Sequence, residues 1–352
     1  MVAAASANAA DLGAGESFVP GEVLVKLDPG VQRDFVATLA AQHDIDQTQE
    51  LAAVPSGMLW RLRSRSRNTE TLLQAMRQDR RVFYAEPNYI LRAAVAPNDP
   101  SYAELWGLEN LAQPIQGAVG VAGSDIHAEA AWNVTTGSHS VVIGVVDTGV
   151  DYNHPNLAAN MWVNPGGIGN ANCAAGTHGF NAITASCDPM DDNFHGTHVA
   201  GTIGAVGNNG AGVTGVNWTT TIMALKFLDQ TGHGSIANAV TAIDFAIQAK
   251  IDGVNVRVLN NSWGGGADSQ ALRDVIQKAN DHDILFVAAA MNDAVNLDVF
   301  PRYPAGYNLP NIIAVAATDN RDALASFSDY GPHSVHLAAP GLSILSTMPG
   351  NS

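Results

Sequence analysis

The sequence predicts an α/β protein: a doubly wound parallel sheet flanked by helices, preceded by a small α+β module. Three observations carry this. Short, continuously apolar segments alternate with helical patterns through the later part of the chain, which is how strands buried on both faces of a parallel sheet read. The first 95 residues instead give strands and amphipathic helices in a compact alternation of their own. The charge also steps: of a net −16, residues 1–95 carry −1 and residues 96–352 carry −15, as expected of two units with different surfaces.

Residues 1–17, rich in small side chains, are expected to be a disordered leader. Residues 1–15 have neither the basic start nor the apolar run of a secretion signal, so an export signal is missing or lies upstream of this start. Residues 21–27 read as a strand from the β-propensity of Val23, Val25 and Leu27, and 33–43 as a helix with Phe35, Leu39 and Ala40 on one face. Residues 56–62 form a second strand. Residues 68–77 form a second helix, capped by Asn68, with Leu72, Leu73 and Met76 inward, and 82–91 a third strand. This strand-helix-strand-helix-strand order ends at a polar, proline-bearing linker, 96–100. Beyond it, strands are expected at 141–146, 221–225, 256–259, 284–289 and 312–316. The clearest helices are 235–250, with Ile236, Val240, Ile243 and Ile247 at helical spacing, and 269–280, with Leu272, Val275 and Ile276. No internal repeat is present, and no low-complexity segment beyond the leader.

Composition removes several classes of function. With 46% hydrophobic and 14% charged residues the chain is not a disordered protein, and its apolar runs fall well short of the ~20 residues that span a bilayer. The net charge of −16 repels phosphate backbones and anionic lipid, so neither nucleic acid nor membrane is an expected partner. Four lysines and 34 glycines suit a secreted protein. Cys173 and Cys187 lie in no metal-ligand spacing. A bridge across their Gly-, Asn- and Ala-rich loop and a pair of free buried thiols both stay open; a bridge would add about 3 kcal/mol in the chain-entropy model.

Chemistry in an open parallel sheet gathers at the carboxyl ends of strands. Asp147 directly follows the apolar strand 141–146. His195 and His198 stand where a polar loop enters a helix so poor in side-chain bulk that it must pack very closely on something, and Asn292 follows another buried strand. Singly, a strand-end Asp caps or turns, an HxxH pair is structural or half of a metal site, and such an Asn makes a turn. Their order, acid then histidine then amide, suits orientation of an imidazole base and stabilisation of an oxyanion.

The segments Val145-Val146-Asp147-Thr148-Gly149-Val150, His195-Gly196-Thr197-His198-Val199-Ala200-Gly201-Thr202, Asn261-Ser262-Trp263-Gly264-Gly265, Phe327-Ser328 and Ala339-Pro340-Gly341 resemble the signatures of subtilisin-like serine proteases, from Pro97 onward. Residues 18–95, ending in Tyr84-Ala85-Glu86-Pro87-Asn88-Tyr89, resemble the ferredoxin-like inhibitory propeptide that precedes them. The resemblance implies a propeptide at 18–95, a peptidase domain at 96–352, and a serine endopeptidase working through an acyl-enzyme. Asp147 would orient His195, and His195 would serve as general base and then general acid. Asn292 would donate to the oxyanion, and His198 would be structural. Ser262, Trp263 and Gly264 would pair with an extended substrate, while Ala289, Ala290 and Met291 would wall the main specificity pocket. A structural calcium site is also implied at Asn156, Gly207, Asn209, Ala211 and Val213, with Asn156 where the family often has aspartate; no organic cofactor is. The implied partners are polypeptide substrates and the chain's own propeptide as intramolecular inhibitor, in a secreted monomer.

Three departures stand out. The family's Gly-Thr-Ser-Met-Ala segment, which opens a buried helix and carries the nucleophile, is absent from the 352 residues, and neither Ser346 nor Ser352 sits at a helix start. The chain is therefore expected to be cut short before its catalytic serine and inactive as written. Met291 replaces a pocket glycine, and Phe194 replaces a small residue before His195. A catalytically dead binding or inhibitory protein on the same scaffold is the alternative. A metal-dependent hydrolase using His195, His198, Asp191 and Asp192 lacks a third distant ligand.

Overall fold

The structure, a computed structural model, describes residues 18–28, 30–55, 57–90, 95–168 and 171–350. The leader expected at 1–17 and Ser352 lie outside the described residues. The chain divides into two compact units, Met1–Ala93 and Ala94–Ser352.

The first unit runs β1 (Phe18–Leu27), α1 (Phe35–Gln42), β2 (Gln47–Val54), β3 (Gly57–Arg63), α2 (Thr69–Gln78) and β4 (Val82–Tyr89). Its antiparallel sheet has the order β2-β3-β1-β4. Val23, Val25, Leu27, Leu39, Leu62, Leu72 and Met76 form its core. Asn68 caps α2 as expected, its side chain accepting from Thr71 N at 2.8 Å. The strand-helix-strand-helix-strand order needs one correction: β2 is a fourth strand. Its sequence, Gln-Thr-Gln-Glu-Leu-Ala-Ala-Val, shows no apolar alternation because it is an edge strand exposed along nearly its whole length. Edge strands escape a reading based on burial.

The second unit opens with a two-residue hairpin, β5 (Pro114–Ile115) and β6 (Ala118–Val119), and a short helix α3 (Ala128–Trp132). It continues β7 (Gly137–Asp147), β8 (Gly179–Asn181), α4 (His195–Gly204), β9 (Thr219–Lys226), α5 (Ile236–Ile251), β10 (Val256–Asn261), α6 (Gln270–Asn280), β11 (Leu285–Ala289), β12 (Ile312–Thr318) and β13 (Leu337–Pro340). The seven larger strands form one parallel sheet, ordered β13-β12-β11-β10-β7-β9-β8. Successive residues of a strand point to opposite faces. Val146, Met223 and Leu225 accordingly enter the core shared with Ile243, Ile247, Leu272 and Ile276 of α5 and α6, whereas Val145, Ile222 and Ala224 pack with Ala200 of α4. Helices thus cover both faces. Ser235 and Ser269 cap α5 and α6, accepting from Asn238 N and Leu272 N. All five strands expected beyond the linker are present, and the short strands β8 and β13 are additions. Cys173 and Cys187 are bridged. No helix among the described residues is long and apolar enough to cross a membrane.

Candidate active site

β7 lies near the middle of the sheet and delivers Asp147 at its carboxyl end, wholly buried. α4 begins at His195, and its small-residue surface lets it come close. A Cβ on Gly196 would overlap the Gly149 carbonyl oxygen and fall 3.2 Å from Asp147 Cβ, and Cβ atoms on Gly201 and Gly204 would strike Thr347 and Thr220. The close packing expected of this helix is therefore against the strand-end turn, the 346–347 segment and β9. It brings His195 Nδ1 to 2.8 Å from Asp147 Oδ1. Asp147 Oδ1 also accepts from Thr148 N at 2.7 Å, while Oδ2 is buried without a hydrogen-bond partner. The bond to the carboxylate raises the His195 pKa above the ordinary histidine value, outweighing burial, which lowers it. With Nδ1 anchored on a carboxylate, Nε2 is the nitrogen left to accept and return a proton.

A second carboxylate fixes this geometry. Buried Asp191 accepts from Thr148 Oγ1 (2.9 Å), Thr197 Oγ1 (2.6 Å) and Thr197 N (3.0 Å), and Thr148 Oγ1 accepts from Gly196 N (2.9 Å). It therefore ties the end of β7 to the first turn of α4, capping that helix. Lys226, buried at the end of β9, donates to the carbonyls of Thr148 and Leu228 and pairs with Asp192 at 2.6 Å. Asp191 and Asp192 thus engage Thr197 and Lys226, and no group of three or more His, Cys, Asp or Glu that could hold a metal occurs among the described residues. His198 Nε2 donates to the Ile344 carbonyl at 3.1 Å, and burial lowers the His198 pKa.

The remaining candidates gather around β10 and β11. Ser262, Ala289, Ala290, Met291 and Asn292 line one cavity of about 250 Å³ with Asn260 and Ser328. Trp263 and Gly264 line a second, of about 270 Å³, with Phe227, Tyr303 and His233. Phe194, just before His195, is exposed.

The family model for the subtilase family, Peptidase_S8, matches residues 138–352. The chain belongs to the subtilase family. The fervidolysin N-terminal prodomain model matches residues 4–88 of this subtilase. Among curated proteins it is 33% identical over 341 residues to the thermophilic serine proteinase of Bacillus sp. (strain AK1), covering 95% of this chain and 73% of that protein. It is 35% identical over 224 residues to thermitase of Thermoactinomyces vulgaris (64% of this chain, 71% of thermitase). It is also 34% identical over 298 residues to an extracellular protease of Xanthomonas campestris pv. campestris, covering 79% of this chain but only 48% of that protein.

The calcium positions of this subtilase do not form a cation cage. The set holds no carboxylate. Asn156 Nδ2 donates to Val213 O, Asn209 Nδ2 donates to Asn156 Oδ1 at 2.7 Å, and Ala211 N donates to Asn209 Oδ1 at 2.9 Å. Gly207 lies against the Trp218 ring. Amide donors thus engage oxygens that a hard cation would require. Nearby, Asp99 accepts from Asn208 N and Asn209 N.

Sequence reasoning missed Asp191 as a cap, Lys226 and the buried Asp329. A signal existed for two of them: an Asp four residues before the histidine, and a lone Lys ending an otherwise apolar strand.

Proposed function

We propose that the chain is the precursor form of a secreted serine endopeptidase, with residues 18–95 as inhibitory propeptide and 96–352 as peptidase domain. The observation that carries this reading is the 2.8 Å Asp147–His195 bond at a strand's carboxyl end, inside the segment matched by the subtilase model. In the proposed reaction Asp147 holds the ring so that Nε2 faces a serine hydroxyl. His195 takes the hydroxyl proton as oxygen attacks the peptide carbonyl, then delivers it to the leaving amine; water repeats the cycle to free the acyl group. Asn292 offers its amide to the tetrahedral oxyanion. Extended polypeptide substrates would pair with the backbone of Ser262, Trp263 and Gly264. The extracellular relative and a composition of only four lysines and 34 glycines support secretion. No cation is required at residues 207–213, and the protein acts as a monomer.

Residues 1–352 contain no Gly-Thr-Ser-Met-Ala segment, so the 352-residue polypeptide does not cleave peptides at a useful rate. Disabling the nucleophile costs about 10⁶ in turnover in subtilisin itself, a relative. Met291 and Phe194, bulky where the family has small residues, favour a second reading, a binding or inhibitory protein on this scaffold. One experiment separates them: the chain is extended with the C-terminal part of a subtilase that carries the missing segment. Casein hydrolysis that appears, and is lost again in His195→Ala, supports the protease. A folded but inert fusion supports the binding protein. Hydrolysis by the unextended polypeptide, abolished by His195→Ala, would overturn the claim of inactivity.

A further inference from the structure

β10 and β11 run in parallel register up to the pair Asn261 and Ala288. Past that pair the two backbones become the walls of the proposed substrate cleft, 262–264 on one side and 289–291 on the other. At residue 264 the gap between them is crossed by one side chain. Met291 has φ +97°, in the left-handed half of the map that side chains other than glycine seldom occupy. From there its thioether crosses the gap: a Cβ on Gly264 would lie 2.9 Å from Met291 Sδ and 3.3 Å from Met291 Cγ. The opposite wall thus has room for methionine only because residue 264 is glycine.

Neither wall can easily retreat. Gly265 and Tyr303 exchange backbone hydrogen bonds at 2.9 and 2.8 Å, which holds the 262–265 side. On the other side the wholly buried Asp329 gives its N–H to Met291 O at 2.9 Å. Its Oδ1 accepts from Asp293 N at 2.8 Å and Val295 N at 3.0 Å. Ala294 N donates to Phe327 O at 2.9 Å, and Arg302 holds Asp293 at 3.0 Å. Met291 therefore sits on a pinned turn, immediately before the amide of Asn292.

We infer that Met291 is a specificity-determining residue that restricts the substrate side chain entering this gap to the size of glycine, alanine or serine. The residue concerned is the one whose carbonyl faces Asn292, on the amino side of the bond to be cut. This deepens the reading of the cleft proposed above and rests on it. A thioether packed on Gly264 takes the space between residues 264 and 291 that a phenylalanine or leucine side chain would need there, and a pinned turn cannot open without breaking the Asp329 bonds. Met291→Gly suits the same φ and empties the gap.

The test needs no turnover. The full 352-residue protein and its Met291→Gly variant are titrated with two acetylated tetrapeptide acids identical except for a C-terminal Ala or Phe. Binding is followed through backbone amide NMR shifts, and thermal melts check that both proteins are folded. The unmodified protein should bind the Ala-ended peptide at least tenfold more tightly than the Phe-ended one. Met291→Gly should reverse that order, with tenfold or more gained by the Phe-ended peptide, the scale on which an apolar pocket discriminates. Equal binding of both peptides by the unmodified protein, or an unchanged ratio in Met291→Gly, would overturn the inference. Residues 18–95, the proposed inhibitor, compete with both peptides alike, so the ratio of the two affinities carries the test; if neither peptide binds either folded protein even at millimolar concentration, the inference fails, a result distinct from an unchanged ratio.

Discussion

Replacing Gly196 by alanine tests the idea that a helix stripped of side chains is what brings His195 to Asp147. The added methyl would overlap the Gly149 carbonyl oxygen and crowd Gly149 C at 3.1 Å and Asp147 Cβ at 3.2 Å. All three belong to backbone or to a buried carboxylate, so no flexible side chain can swing aside. α4 must move off the strand-end turn or the turn must distort. Overpacking of this kind costs about 1–3 kcal/mol. The shift also strains the bond from Gly196 N to Thr148 Oγ1, 2.9 Å long, whose loss adds about 1 kcal/mol. A total of roughly 2–4 kcal/mol, at about 2–4 °C per kcal/mol for a unit of this size, lowers the melting temperature by about 4–16 °C. The same displacement lengthens the 2.8 Å contact between His195 and Asp147, so the His195 pKa falls back toward its ordinary value. Thermal unfolding and an NMR titration of the His195 ring measure both, with Gly265→Ala as control because nothing lies within 4 Å of a Cβ there. A Gly196→Ala protein that melts within about 1 °C of the parent and keeps the elevated His195 pKa would refute the reasoning.

Three further outcomes follow from the same structure. The two histidines of α4 should give opposite pH dependences. His195, whose pKa is raised by its bond to Asp147, adds stability that is complete below the unfolded value of about 6.5 and is lost as pH rises through the folded pKa. His198, whose pKa is lowered by burial, adds stability that is present above about 6.5 and is lost as pH falls through its folded pKa. Melting curves between acid and alkaline pH for His195→Gln and His198→Gln should each lose one of these slopes; an unchanged profile in both would contradict the assignment. Replacing both cysteines by serine opens a bridge separated by 14 positions and should cost about 3 kcal/mol, read as a lower denaturation midpoint that added reductant does not change further. Because amides already close the 207–213 loop on Asn156, melting should be the same in calcium and in EDTA, and a rise of several degrees with calcium would show that a cation binds there.

Much of the fold was legible because each signal was local. The apolar runs at 141–146 and 312–316 mark β7 and β12 since both faces of those strands are covered, and Asn68, Ser235 and Ser269 announce helix starts through bonds no more than three residues long. β2 and β13 escaped because edge strands carry little burial, and β8 because three residues hold no period. The Asp147 and His195 motifs were equally plain, since each is a contiguous run. What the sequence could not show is which groups hold those runs together across the chain. The role of Asp191 shows only once the fold sets it against Thr148, 43 residues away, and Asp329 is silent until the fold sets it beneath Asp293, 36 residues away. Met291 combines both kinds of information. Its position beside Asn292 flags bulk in a small-residue wall, but only its φ and its contact with Gly264 show that the bulk points across the cleft, where it alters the size of the side chain that fits. The groups that carry the proposed chemistry are therefore written in contiguous motifs. Those that set its geometry and selectivity lie in pairs the fold alone brings together, so variants of Asp191, Asp329 and Gly264 should discriminate between accounts of this site better than further variants of the motif residues.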